Sequence, residues 1–152
     1  MNAVSNPLLG SWRLRRWEVG YADGRPASLP YGADALGLLV YAGDGWMSAA
    51  IARAGRNKLA SESVRSAPPE QRLAAFEGYF HYAGRYALES GAAGLFVVHR
   101  VTMSLNPNFV GSEQRRRVEF DAAGRLTLSA DDLLPGTQVL RHHRLLWQRD
   151  EA

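Results

Sequence analysis

A short apolar run followed by a turn signal recurs eight times along this chain, and that repetition constrains the fold more than any other feature. The runs are Ser11–Val19, Leu36–Tyr41, Trp46–Ala52, Gly84–Leu88, Leu95–Ser104, Glu113–Phe120, Arg125–Ser129 and Gln138–Trp147. Between them lie turn sequences such as Gly43-Asp44-Gly45 and Leu134-Pro135-Gly136. Joints this short make neighbouring strands antiparallel. One segment departs from the pattern. Leu73, Phe76 and Phe80 recur at helical spacing after Pro68 and Pro69, which suit a helix start. The spacing predicts a helix over about 68–80, covering an end or side of the sheet as a packed connector or as a lid. An open sheet of this size exposes its edges, whereas closure removes them and leaves room for one small molecule. The expected fold is all-β: an eight-stranded antiparallel up-and-down barrel with one helix inserted between the third and fourth strands. Residues 1–152 read as a single domain, since no linker, low-complexity tract or long repeat interrupts them.

Alternation of side chains along a strand then selects an interior. In the fifth run Leu95, Val97, His99, Val101 and Met103 share one face, and the apolar majority carries His99 inward. In the sixth, Glu113, Arg115, Arg117 and Glu119 meet water, so Gln114 and Arg116 turn in. Arg141, His143, Leu145 and Trp147 share the inner face of the eighth. Trp12 and Leu14 point in from the first, followed by Arg16 and Glu18 unless a bulge intervenes. Tyr41 and Tyr86 are wall residues that offer a hydroxyl beside apolar surface. The candidate ligand-binding set is therefore Trp12, Tyr41, Tyr86, Val97, His99, Val101, Gln114, Arg116 and Trp147.

Two of these carry chemistry. A guanidinium inside a barrel is costly without a counter-group. Arg116 therefore either closes the floor, by pairing with Glu18 or stacking on Trp12, or grips an acidic or carbonyl-bearing ligand. His99 is a satisfied core residue, a hydrogen-bonding anchor, or a general acid/base. Carried on consecutive strands joined through 106–108, His99 and Arg116 are expected as cross-strand neighbours, directly opposite or diagonal.

Gly10-Ser11-Trp12 resembles the Gly-x-Trp signature of lipocalins. The remainder is similar to a bacterial and fungal lipocalin-like domain family of free-standing single domains. The matching stretches include Gly37–Tyr41 with Asp44–Ser48, Tyr82–Tyr86, His99–Val101, Ser104–Pro107, Gly111–Arg116, Leu126–Leu128 and Leu146–Arg149. They run in order along nearly the whole chain. The resemblance implies a calyx and says little about chemistry.

Composition narrows the partners. The net charge is +3, but fifteen acidic residues are interleaved with the cations, and Arg115, Arg116 and Arg117 divide between two faces of a strand. Nucleic acid, which needs clustered cations, is not an expected partner. No apolar run is long enough to span a bilayer, and Met1–Pro7 has neither the basic start nor the apolar stretch of a secretory signal. With no cysteine, disulfides and thiolate metal sites are excluded, and a cytoplasmic location is expected. His142 and His143 face opposite ways, and no metal or nucleotide motif occurs, so no metal and no cofactor are expected. A homo-oligomer stays open on exposed aromatics. The expected function is binding of a small, mostly apolar molecule bearing a carbonyl, hydroxyl or acid group. The alternative is an isomerase, cyclase or dehydratase in the same cavity, with His99 as base and Arg116 stabilising an oxyanion.

Overall fold

The computed structural model describes residues 5–150; Met1–Val4 of the N-terminal segment and positions 151–152 of the single-domain reading lie outside the described residues. The strands are β1 (Gly10–Tyr21), β2 (Leu36–Tyr41), β3 (Trp46–Ala52), β4 (Tyr79–Gly91), β5 (Gly94–Ser104), β6 (Glu113–Phe120), β7 (Leu126–Leu133) and β8 (Leu140–Arg149). Each pairs antiparallel with its chain neighbours, and β1 closes on β8 to complete an eight-stranded up-and-down barrel. The tight turns β2–β3, β4–β5 and β6–β7 gather at one end. The longer connections gather at the other, together with helix α1 (Pro69–Glu77) between β3 and β4. No helix among the described residues is long and apolar enough to cross a membrane.

Two bulges set which residues face inward. In β1 the partner steps from Trp147 to Leu146 while the chain advances from Leu14 to Arg16, so Arg15 is the extra residue. Beyond it Trp17 and Val19 turn in, and Arg16 and Glu18 pair with each other in solvent at 3.2 Å. In β5, Ala83 pairs with Met103 but Gly84 with Val101, so Thr102 is the extra residue. Met103, inward by simple alternation, is consequently 61% exposed, and Ser104 comes opposite the inward Tyr82. At this bulge the strands come so close that a Cβ on Gly84 would stand 1.9 Å from the Arg100 carbonyl oxygen. Glycine is required there.

The helix is shorter than its apolar spacing predicts. It ends at Gly78, and Phe80 belongs to β4, where it faces inward. Leu73 and Phe76 are exposed and α1 buries no residue, so its apolar positions do not seal onto the barrel wall. The spacing that suggested one longer helix was shared between a helix and the strand after it.

The tight-turn end is packed solid. Leu8, Trp12, Leu39, Tyr41, Met47, Val97, Leu126 and Trp147 form its buried core. The Trp12 ring is 1% exposed, donates its Nε1–H to the Leu8 carbonyl at 2.9 Å, and is covered from outside by the Arg149 guanidinium. Burying an indole this fully while meeting its one donor makes it a packing residue. Trp12→Ala is expected to cost about 3–5 kcal/mol, since neither the barrel end nor the Leu8 plug can collapse into the void. Thermal melts check this; an unchanged midpoint would mean that the ring contributes no packing.

Candidate functional site

A cavity of about 390 Å³ opens at the long-loop end of the barrel. That volume lies within the roughly 300–1,000 Å³ range of small-molecule sites. Its walls are mainly apolar, with Leu39, Ala49, Ile51, Phe80, Leu128 and Leu145 among them. Space remains because the inward positions Ala49 and Ala130 carry only a methyl group where neighbours carry long side chains. Tyr82, Gln114, Arg116, Asp132, Arg141 and His143 are the polar residues on the wall or rim that matter to its chemistry.

Of the residues singled out from the sequence, Gln114, Arg116 and Trp147 border this cavity. Trp12, Tyr41, Val97, His99 and Val101 also point inward but are buried in the packing outside it. Tyr86 is half-buried there, its hydroxyl donating to the Ala42 carbonyl at 2.7 Å and accepting from Asn6 Nδ2 at 2.8 Å. Strand parity states which way a side chain points but not how far along the barrel the solid core extends. His99 pairs with Gln114 and Val97 with Arg116, so His99 and Arg116 are diagonal neighbours.

Arg116 has neither of the internal partners considered for it. Glu18 is outside the barrel with Arg16, and the cation over Trp12 is Arg149. Its Nη2 donates to Gln114 Oε1 at 3.3 Å and its Nη1 to its neighbour's carbonyl, that of Arg115, at 3.0 Å. Gln114 is anchored in turn by donating to Ser112 Oγ at 2.9 Å, and Ser112 donates to the Phe109 carbonyl at 2.6 Å. Neutral acceptors thus orient the guanidinium while its charge stays uncompensated: among the described residues no carboxylate forms an ion pair with it.

The rim carries a second polar group that was only partly legible. Continuing the β7 alternation through Leu126, Leu128 and Ala130 brings Asp132 inward, three residues beyond the Ser129 at which the apolar run in the sequence stops. Asp132 accepts from Arg141 Nη2 at 2.9 Å and from His143 Nε2 at 3.2 Å. The Arg141 guanidinium, chiefly, holds the Asp132 carboxyl below its ordinary range. Trp17 Nε1–H donates to His143 Nδ1 at 3.4 Å, so the ring hydrogen is on Nε2 and His143 is neutral. Burial, chiefly, lowers its pKa. The neighbouring Asp131 turns outward to His142.

Deeper in, both ring nitrogens of His99 are occupied. The Tyr41 hydroxyl lies 2.7 Å from Nε2 and the Tyr82 hydroxyl 2.6 Å from Nδ1. Tyr82 borders the cavity; Tyr41 and His99 do not. Burial, with the Arg116 charge as a second cause, lowers the His99 pKa to about 3, and burial raises those of both tyrosines. His99 is a neutral linker, with no nitrogen free to act as a base on a ligand. Nearby, the Trp147 indole N–H is buried with no acceptor among the described residues.

The depressed pKa of His99 has a consequence for stability. Between about 6.5 and about 3 the unfolded chain binds a proton that the folded one refuses, so stability is full above pH 6.5 and falls as the pH drops. Each pH unit in that window removes about 1.4 kcal/mol per such histidine. His99→Gln, which keeps a donor and an acceptor, is expected to flatten the decline of melting temperature between pH 6.5 and pH 4.5. Parallel slopes in wild type and variant would show that His99 is not the group responsible.

A family model for the lipocalin-like domain matches residues 9–150. No curated protein matches the chain significantly. The matched span runs from the residue before β1 to the residue after β8 and so takes in every strand of the barrel. With closed topology, a plugged end and an open cavity already in place, the chain belongs to the lipocalin-like domain family.

Proposed function

We propose that this barrel binds a small, mostly apolar molecule carrying a carbonyl, hydroxyl or acid group. The observation that carries the reading is Arg116: a guanidinium on the wall of an otherwise mainly apolar cavity, held, among the described residues, by neutral acceptors alone. A cation that served only stability would be expected to have a carboxylate beside it. Oriented but unpaired, it supports recognition of a ligand oxygen, and the surrounding apolar wall supplies the bulk of the contact area.

Binding is preferred to turnover because the base expected for an isomerase, cyclase or dehydratase, His99, has both nitrogens engaged outside the cavity. Native mass spectrometry of protein released gently from its host is expected to find a retained small molecule. For a defined probe, 1-anilinonaphthalene-8-sulfonate, an apolar anion, is expected to brighten on entering the barrel. Arg116→Met should weaken that binding by about tenfold or more, the usual value of a hydrogen bond to a charged group, without lowering the melting temperature. A lowered melt with unaltered affinity would make Arg116 structural and remove the main support for this reading.

A further inference from the structure

The His99 contacts contain one hydrogen too many. A neutral imidazole has one N–H and one bare nitrogen, and each tyrosine hydroxyl has one hydrogen. Three hydrogens therefore meet two contacts, Tyr41 Oη to Nε2 and Tyr82 Oη to Nδ1. One hydroxyl must accept from the ring and direct its own hydrogen elsewhere. If that hydroxyl were Tyr41, the spare donor would be sealed in the core, because its sole hydrogen-bond partner among the described residues is His99 and the residue is 1% exposed. A buried donor without an acceptor is the costlier arrangement. Tyr82 is also buried, at 4% exposed, but unlike Tyr41 it lines the cavity. Tyr41 therefore donates to Nε2, Nδ1–H donates to Tyr82, and the spare hydrogen belongs to Tyr82 on the ligand side.

Arg116 lines the same cavity as Tyr82 and is the diagonal cross-strand neighbour of His99, to whose ring the Tyr82 hydroxyl is bonded. The acidic group at the mouth, Asp132, is already engaged by Arg141 and His143, and Asp131 by His142. We infer that Tyr82 and Arg116 form a two-donor clamp for an anionic oxygen, so that the barrel takes apolar molecules bearing a phenolate, enolate or carboxylate. The clamp rests on the binding reading above and adds the class of ligand. A hydroxyl ligand gains less, because it brings a further donor to a site that already presents donors.

A pair of probes tests this: 4-nitro-1-naphthol, whose ionised and neutral forms absorb differently, and its methyl ether, which cannot ionise. In wild type, bound naphthol is expected to ionise at least one pH unit below free naphthol, a tenfold preference for the anion. Tyr82→Phe and Arg116→Met should each reduce that preference at least threefold while ether affinity stays within about twofold. In unmodified protein, ¹⁵N NMR of the His99 ring should find the hydrogen on Nδ1, a readout that needs no variant to fold. Naphthol ionising at or above its free value, a preference untouched by Tyr82→Phe, or a hydrogen on Nε2 overturns the clamp. In each of those cases ether binding would leave the cavity reading standing. Entry of neither probe would remove both.

Discussion

Closure of β1 onto β8 is the constraint on which the rest of this molecule depends. With the barrel open, each terminal strand would present a row of unpaired N–H and C=O groups, and the inner face would have no opposite wall. With it closed, every inward side chain is surrounded, and packing is decided by what fills the bore. The closure is not a uniform ladder. Arg15 is extra, and that single residue turns Trp17 and Val19 inward in place of Arg16 and Glu18. Two charges that would have needed compensation inside the barrel instead neutralise each other in water. The bulge thus determines both the closing strand and the chemistry of the cavity, since Trp17 supplies the donor that fixes the His143 tautomer.

Volume along the bore separates a packed half from an open one. Toward the tight turns, two tryptophans and Tyr41 fill the bore, and near the start of β2 a Cβ at position 37 would strike Leu14 and crowd the Trp147 ring. Toward the long loops, Ala49 and Ala130 hold the same inward parity with almost no volume, and the cavity begins. The polar groups divide by the same rule. Tyr41 and His99 are enclosed and neutral, whereas Asp132 and Arg141 pair with each other at the rim and Arg116 lines the open cavity.

Much of this was legible because alternation is a local property that holds wherever a strand is regular. It placed His99, Gln114, Arg116, His143 and Trp147 facing inward without any structure. It failed at Met103, because a bulge adds one residue and reverses the parity beyond it, and nothing about Thr102 marks it as extra. It stopped short of Asp132, because paired aspartates have a turn's composition even inside a ladder with Arg141. Tyr82 went unassigned because the strand that carries it follows directly on a helix with the same apolar spacing. Depth within the barrel could not be read at all. It depends on which opposing side chains are large, a property of eight strands taken together.

His99 shows why direction and role are separate questions. A histidine on the inner face of a barrel invites a functional reading, because its ordinary pKa lies near neutrality. Here the burial that makes it central also makes it inert: with both nitrogens bonded to phenols and the Arg116 charge nearby, the ring stays neutral at working pH. A neutral ring is nevertheless directional, because it must donate at one nitrogen and accept at the other. The sealed tyrosine takes the arrangement that leaves it satisfied, and the tyrosine at the cavity takes what remains. In the proposed clamp this asymmetry lets a buried core set what the cavity presents to a ligand, and the determinant is which of two phenols lines the cavity.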